Sequence, residues 1–523
     1  MIRRWLPLAA IALLITTLTL TRLGASDVCG GSEAIMGVFV QQMVESNELL
    51  FPLDNCSEPM YKPPLYHWTA AAIAYVSRQS TVDSFNLRIP SAIYAIVGAI
   101  LTMYFAQGLL GIRGAILSGL ILASSFQYIT LARIGLVDMT LTFFETLSLF
   151  AFFWWWISSA GDRASASSKK RLHYLFAAAM GLAVLAKGPV GALLPGTAMV
   201  IFLASEKRWS TIFEMIRPGP ILLGGVLASS WYIACLIARR FDFLSLQIGS
   251  ENFGRFFGTL GSMPPWYYVT PLLFNSAPWS LLLPIAVAWA IVERRLSSAV
   301  TEPYSREERA ALCAKFFAIF WLVTVIFFEL SAFKRRAYLL PLWPASAVML
   351  SWWILDRVVP RLGDLAYRTS VAVCLALSLG FFFFIPASEL HSCAKALSIA
   401  EMLKWPVQAL AGNSTAARDQ AISYRQVAAE VNRIVPKDDP LFIVGIDGAE
   451  EPLIFYLERC APRLRHSPEP IPAGYLIVGP QAMARGKYNS PDLHVALKIP
   501  YRDDNLTLLH NESISNAVPS QKH

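Results

Sequence analysis

Eleven apolar runs of near-bilayer length recur along this chain, and that pattern leaves few folds open to it. A membrane-crossing helix needs about 20 largely apolar residues. The runs occupy residues 5–22, 90–109, 114–131, 138–158, 173–187, 189–205, 219–238, 268–292, 311–331, 337–355 and 369–386. In hydrocarbon every backbone N–H and C=O must find its partner within the spanning element, so these runs read as helices. Only 15% of the 523 residues are charged, against about 25% in an average soluble domain. The expected fold class is an α-helical polytopic membrane protein of about eleven transmembrane helices, with outer interfacial helices and a small C-terminal α/β domain. Met1-Ile2-Arg3-Arg4 and the run after it have the charge pattern of a signal peptide. No small-residue cleavage site leads into a soluble domain, so the run is read as a retained first span with a cytoplasmic N-terminus.

Lysine and arginine accumulate in cytoplasmic loops. If the short apolar segment 65–77 does not cross, the basic loops 159–172, 206–217, 293–310 and 356–368 all fall on the cytoplasmic side; if it crosses, all four fall outside. Segment 65–77 is therefore placed as an interfacial helix on the outer face. Basic residues nevertheless remain outside, among them Lys62, Arg88, Arg133, Lys187, Arg239, Arg240, Arg255, Lys334, Arg335 and Arg336. Snorkelling to lipid headgroups explains any one of them. A phosphate or pyrophosphate at the outer leaflet explains the group, and Lys62 and Lys187 above all. The net charge of +8 is spread through loops rather than gathered in a stripe, which excludes a nucleic-acid partner.

The domain map follows: a membrane domain over 1–390 with a first outer loop at 23–89, a linker at 391–414, an α/β domain at 415–510 and a disordered tail at 511–523. In the α/β domain, 421–435 reads as an amphipathic helix, 440–445 and 475–479 as buried strands, and 450–459 as a helix between them. Cys29 and Cys56 share the first outer loop; Cys393 and Cys460 share the C-terminal outer region. Even numbers in each suit an oxidising compartment. The expected disulfides are Cys29–Cys56 and Cys393–Cys460, with four free thiols as the alternative.

Candidate chemistry gathers on the outer face. Tyr61-Lys62-Pro63-Pro64-Leu65-Tyr66-His67-Trp68 places a lysine, two prolines and aromatic rings at a membrane surface, with His67 read as interfacial. Glu33 starts a stretch of helical apolar spacing, where helix capping is the plain alternative. Asp138 opens a span, and a carboxylate there faces a cavity or a partner, or caps the helix. Glu145, deeper in that span, reads as structural. Lys187-Gly188-Pro189 is a tight turn whose shape does not require a lysine. Glu251-Asn252 with Arg255 lies in one outer loop, and Lys334 with Tyr338 at the outer end of two later spans. There is no P-loop, dinucleotide fingerprint or His-x-x-x-His helix. Asp438-Asp439 and Asp503-Asp504 read as solvated turns.

The order of these pieces resembles the membrane glycosyltransferases of the C-type fold. It is most similar to the bacterial branch of aminoarabinose transferases and protein O-mannosyltransferase-like enzymes, families 39 and 83 of the glycosyltransferases. The pieces are Glu33, Lys62-Pro63-Pro64-Leu65, Arg88-Ile89-Pro90, Arg133 with Asp138, Lys187-Gly188-Pro189, Glu251-Asn252 with Arg255, Pro278-Trp279, and Lys334 with Tyr338-Leu339-Leu340-Pro341. The resemblance implies transfer from a polyprenyl-phosphate sugar to lipid A, another glycan or a protein, at the periplasmic face of the bacterial inner membrane. Asp138 or Glu33 would act as base. Lys62, Arg255, Lys187, Lys334 and Arg133 would bind the donor phosphate, and Tyr338, Tyr61, Glu251 and Asn252 would contact substrate. The family's acidic pair after the first span is Ser32-Glu33 here. The resemblance leaves a divalent metal open, but the family's zinc-ligand places hold Tyr61 and about Gly261, so no bound zinc is expected. A flippase for lipid-linked sugar and a non-catalytic member of the same fold are the competing readings. The flippase should show internal repeats and interrupted helices, and neither is visible in the sequence.

Overall fold

The computed structural model describes residues 2–28, 30–56, 58–78, 81–159, 166–274, 277, 279–292, 304–389, 423–446, 450–464, 471–485, 488, 492–501 and 504–511. They divide into two compact units: Met1–Leu23, Tyr61–Ala70 and Arg88–Pro386 form the first, and Gly24–Met60, Ala71–Leu87 and Ala387–His523 the second.

The first unit is a helical bundle. Among the described residues five helices are long and apolar enough to cross a membrane: Ser84–Ala123, Val137–Ser159, Pro218–Ile237, Arg306–Leu330 and Asp364–Glu389. Three shorter apolar helices join them, within Ile2–Leu20, Val190–Ser205 and Leu283–Val292. Burial sorts their positions. The apolar window of Val137–Ser159 is 78% buried, that of Pro218–Ile237 only 17%, so the former is a core helix and the latter presents most of its side chains outward. The reason is visible in its sequence. In the second half of Val137–Ser159, Phe150, Phe152, Phe153, Trp155 and Trp156 leave the helix apolar on every side, and such a helix is buried. Phe105 stacks on Phe150 at 4.0 Å, and Phe316 and Phe317 close the cluster.

Several runs fold differently from a plain span. The helix Ser84–Ala123 breaks at Gly111, whose φ of 76° suits glycine, and Arg306 donates from Nε to the Leu109 carbonyl that the break exposes, at 2.8 Å. The run 114–131 is divided, its second part forming the separate helix Phe126–Ala132. The run 268–292 gives two helices, Val269–Phe274 and Leu283–Val292, in a stretch interrupted by Pro271, Pro278 and Pro284. Segment 65–77 forms the 12-residue helix Leu65–Val76, too short to cross a bilayer. His67 on it is fully buried, contrary to the interfacial placement, and burial pushes its imidazole down to about 3.

The second unit combines the first loop with the C-terminal region, so it reaches beyond the expected 415–510. The helix Gly31–Ser46 packs on the helix Glu450–Leu457. Strands β1 (Leu53–Asp54) and β2 (Glu58–Pro59) pair antiparallel. Four more, β3 (Leu441–Val444), β4 (Gly474–Val478), β5 (Leu493–Tyr501) and β6 (Asp504–Asn511), form a sheet of order β3-β4-β6-β5. The β3–β4 pair is parallel and the others antiparallel. β5 and β6 were absent from the sequence reading, although Val495, Leu497 and Ile499 alternate as a strand should. Asp504, read there as part of a turn, opens β6.

The predicted cysteine pairing is corrected. Cys56 is bonded to Cys460, with their Cα atoms 5.8 Å apart, while Cys29 and Cys393 lie outside the described residues. Pairing by loop proximity failed because 24–60 and the C-terminal region fold together. Asn55 exchanges two hydrogen bonds with the Ala461 backbone beside the bridge, at 2.6 and 2.7 Å. Non-reducing peptide mapping should therefore recover a Cys56–Cys460 cross-link, and Cys56→Ser should destabilise the second unit by about 2–4 kcal/mol. A Cys29–Cys56 cross-link would contradict this pairing.

Candidate active site

Two neighbouring helices bring the first pair of charges together. Val137–Ser159 packs along Ala166–Lys187, and the connection between them is short, so the start of one meets the end of the other. Asp138 sits in the first turn of its helix and Lys187 in the last turn of its own, each the charge that its helix dipole favours. Lys187 Nζ donates to Asp138 Oδ1 at 2.6 Å. The chain then reverses through Gly188 and Pro189 into Val190–Ser205. Gly188 has φ of 122°, and a Cβ there would stand 2.8 Å from Gln247 Nε2 and 3.3 Å from Asn252 Oδ1. Gln247 Nε2 in turn donates to the Lys187 carbonyl at 3.3 Å.

The second cluster is built on Ser245–Gly254, a π-helical segment that wraps wider than an α-helix. Asn252 Nδ2 closes across it to the Gln247 carbonyl at 2.6 Å. Glu251 points its two oxygens at two different cations. Oε2 accepts from Lys62 Nζ, and Oε1 accepts from Arg255 Nη2 at 2.8 Å. Arg255 also donates from Nη1 to the Tyr338 hydroxyl at 3.3 Å, and its guanidinium lies over the Phe333 ring. Lys187 Nζ stands 4.4 Å above the Tyr338 ring. Tyr338 thus joins the two clusters.

Its position is fixed from behind. Gln127 donates to the Arg336 carbonyl at 2.5 Å and accepts from Trp343 Nε1 at 3.0 Å, pinning the short turn Arg336–Leu339. Backbone bonds from Ala332 to the Phe256 carbonyl and from Phe333 to the Arg255 carbonyl hold the Arg255 loop to the same segment.

These charges are poorly hydrated. The side chains of Lys62, Glu251 and Arg255 are 11, 8 and 15% exposed. Burial pushes the Lys62 ammonium down to about 8 against the pull of Glu251, and the nearby Arg255 adds to the fall. Burial alone would raise Glu251, but Lys62 and Arg255 outweigh it and hold the carboxyl below its ordinary range. Burial alone would lower Arg255; Tyr338 and Glu251 outweigh it and keep the guanidinium firmly charged. Removing one partner from a buried pair leaves an uncompensated charge, at a cost of about 3–5 kcal/mol.

A cavity of about 340 Å³ opens beside these residues. Lys62, Lys187, Glu251, Asn252, Arg255 and Tyr338 form its polar part. Phe253, Phe256, Phe257, Phe327 and Leu193 form an apolar wall. One end can take an anion and the other a hydrocarbon chain. The apolar wall and Gln247 were missed from sequence, where a phenylalanine in a loop of a hydrophobic chain carries no distinguishing signal.

Other predicted residues lie elsewhere. Arg133 donates from Nη1 to the Leu18 and Thr19 carbonyls at 2.9 and 3.1 Å, at the end of the first helix. Lys334 is buried and donates to the Ser331 carbonyl at 2.8 Å. Both bond backbone carbonyls at helix ends, and neither is among the residues named as lining the cavity. Glu33 is buried in the first turn of Gly31–Ser46 in the second unit, whereas Asp138 belongs to the first. Tyr61 turns its ring to Lys62 Nζ at 5.3 Å, and Gly261 has no ligating side chain. The two places that hold zinc ligands in the resembled enzymes therefore do not fit a metal. Among the described residues no three His, Cys, Asp or Glu side chains gather as a metal site.

Comparison with known proteins bears on this arrangement. The dolichyl-phosphate-mannose-protein mannosyltransferase family pattern matches residues 45–238. An undecaprenyl phosphate-α-4-amino-4-deoxy-L-arabinose arabinosyl transferase of Shewanella sediminis is 24% identical over 69% of this chain and 62% of its own length. One from Pseudomonas aeruginosa is 28% identical over 39% of this chain and 34% of its own length. The crystal structure of ArnT from Cupriavidus metallidurans bound to undecaprenyl phosphate superposes with a TM-score of 0.71. It is 19% identical and covers 98% of this chain and 99% of its own. This chain shares the fold of that structure and is similar in sequence to the mannosyltransferase and arabinosyl transferase families. The match reaches only part of the length of the named transferases, and the fold likeness concerns the backbone. The residues that line the polar cavity all belong to the first unit.

Gly188→Ala should destabilise the protein by about 1–3 kcal/mol, since alanine there meets both a left-handed φ and the Gln247 side chain. A fall of several degrees in thermal midpoint in detergent is expected; an unchanged midpoint would show that the turn does not depend on glycine.

Proposed function

We propose that this protein transfers a glycosyl group from a polyprenyl-phosphate sugar to an envelope acceptor, a lipid A, glycan or protein hydroxyl or amine. The carrying observation is the cavity that joins Lys62, Arg255 and Lys187 to an apolar phenylalanine wall. A phosphate with a long hydrocarbon tail fits that division. The protein works as a multi-pass inner-membrane enzyme with about eleven spans, a cytoplasmic N-terminus, a periplasmic cavity and the α/β region on the periplasmic side. Whether the sugar is a pentose or a hexose lies in contacts the donor makes beyond the phosphate.

The mechanism is a single displacement. The acceptor oxygen or nitrogen attacks the anomeric carbon from the face opposite the phosphate. Its bond to carbon forms as the carbon–oxygen bond to phosphate breaks, and the electron pair leaves on the phosphate oxygen. The acceptor's proton passes to Asp138, which Lys187 fixes in place. Lys62 and Arg255 stabilise the charge that grows on the leaving phosphate, in a site where little water screens it. The product is a polyprenyl phosphate monoester, and the anomeric configuration inverts. Glu33 enters no step of this mechanism. The flippase reading gains no support from the fold, which resembles that of a glycosyltransferase.

Asp138→Asn should leave the protein folded and reduce transfer about 10²–10⁴-fold, read as donor loss by mass spectrometry with candidate polyprenyl-phosphate sugars and envelope extract. Equal consumption by wild type and variant would remove Asp138 from the chemistry. Lys62 gives a second test. With its ammonium at about 8 in the free protein, it is charged below that pH and must take up a proton to bind an anion above it. Affinity for undecaprenyl phosphate should be level between about pH 7, above the second ionisation of its phosphate, and pH 8, and fall above it, and the fall should vanish in Lys62→Gln. A fall of the same size in the variant would assign the titration to another group.

A further inference from the structure

Glu251 presents an unusual arrangement for a phosphate site. Each of its oxygens holds one cation, Lys62 through Oε2 and Arg255 through Oε1. A phosphate bridging the same cations would use the same geometry, two oxygens and one negative charge between an ammonium and a guanidinium. We infer that Glu251 is a built-in stand-in anion, displaced from Lys62 and Arg255 when the lipid phosphate arrives and returning to drive product out. The inference rests on the function proposed above and adds a role that the displacement mechanism itself does not need.

Charge counting gives the reason. Lys62, Arg255 and Lys187 carry three positive charges, and Glu251 and Asp138 two negative ones. The donor is a phosphodiester with one negative charge. After transfer the phosphate is a monoester carrying about −1.5 to −2 at neutral pH. The product therefore holds the two cations more strongly than the donor did. A site built only of cations would be inhibited by its own product. A carboxylate on the same segment as Arg255, four residues away, competes at high effective concentration and limits that grip. In the empty state it also keeps two poorly hydrated cations paired, so neither stands alone in the cavity.

The arrangement also dictates what Glu251 does during binding. Its helix is π-wound, and Asn252 beside it is anchored to Gln247. The backbone is thereby held, and the carboxylate moves by side-chain rotation alone. The cavity beside it offers the room.

The test uses purified full-length protein in lipid nanodiscs. Undecaprenyl phosphate affinity is measured for wild type, Glu251→Gln and Glu251→Asp. Glu251→Gln should bind about ten-fold more tightly, the order of one partly buried charge pair. Its turnover should fall together with the donor KM, because release slows. Glu251→Asp keeps the anion and should bind within about three-fold of wild type. Equal or weaker binding by a folded Glu251→Gln protein would overturn the inference. A measurement on the wild type guards against a variant that does not fold. Carbodiimide labelling of Glu251, read by mass spectrometry, should rise when undecaprenyl phosphate is added, since the carboxylate has left its cations. Unchanged or reduced labelling with lipid bound would also overturn it. Wild type that binds no undecaprenyl phosphate at all would refute the proposed function, and the inference with it, and is thereby distinct from failure of the inference alone.

Discussion

One carboxylate shared by two dehydrated cations sets the terms for the rest of the site. Lys62 comes from a segment far in sequence from Glu251 and Arg255, and none of the three is exposed enough for water to stabilise it singly. Such groups are tolerated only in one another's company. The surrounding scaffold is what keeps them there. The π-helical segment presents Glu251, the Arg255 loop is stitched by backbone bonds to Ala332 and Phe333, and Gln127 pins the turn that carries Tyr338. Loss of any tie would let a charge drift from its partner in a medium that does not screen it.

The Asp138–Lys187 pair follows from simpler geometry. Adjacent antiparallel helices joined by a short link must bring the N-terminus of one beside the C-terminus of the other. An acid in one terminal turn and a base in the other then meet, helped by the helix dipoles. Tyr338 connects this pair to the Lys62 cluster through its ring and hydroxyl. Asp138 is thus tied through Lys187 to the cavity that Lys62 and Arg255 also line, the closeness a displacement reaction requires.

Much of this was legible in the sequence, for identifiable reasons. Spans are legible because apolar length is a one-dimensional property, and the charged residues that break the positive-inside bias stood out against it. That bias singled out Lys62, Lys187 and Arg255, which the structure brings around one cavity. It also singled out Arg133 and Lys334, which the structure spends on backbone carbonyls. A cation near a span end serves a ligand or a helix terminus with the same one-letter code, and only the third dimension separates them. The Cys56–Cys460 bridge was illegible for a related reason: its cysteines are 404 residues apart, and nothing local says that the first loop and the C-terminal region fold as one unit. β5 carried a readable alternation, but the acidic pair Asp503-Asp504 reads as a solvated turn, and Asp504 opens β6.

The central claim is that Lys62 and Arg255 form the seat of a lipid phosphate. The most direct test is an experimental structure of the full chain in a bilayer mimic with undecaprenyl phosphate. The account predicts the phosphate within hydrogen-bond reach of Lys62 Nζ and the Arg255 guanidinium, the prenyl chain along Phe253, Phe256 and Phe257, and Asp138 still beside Lys187. A phosphate bound elsewhere, with Glu251 still joined to both cations, would contradict it.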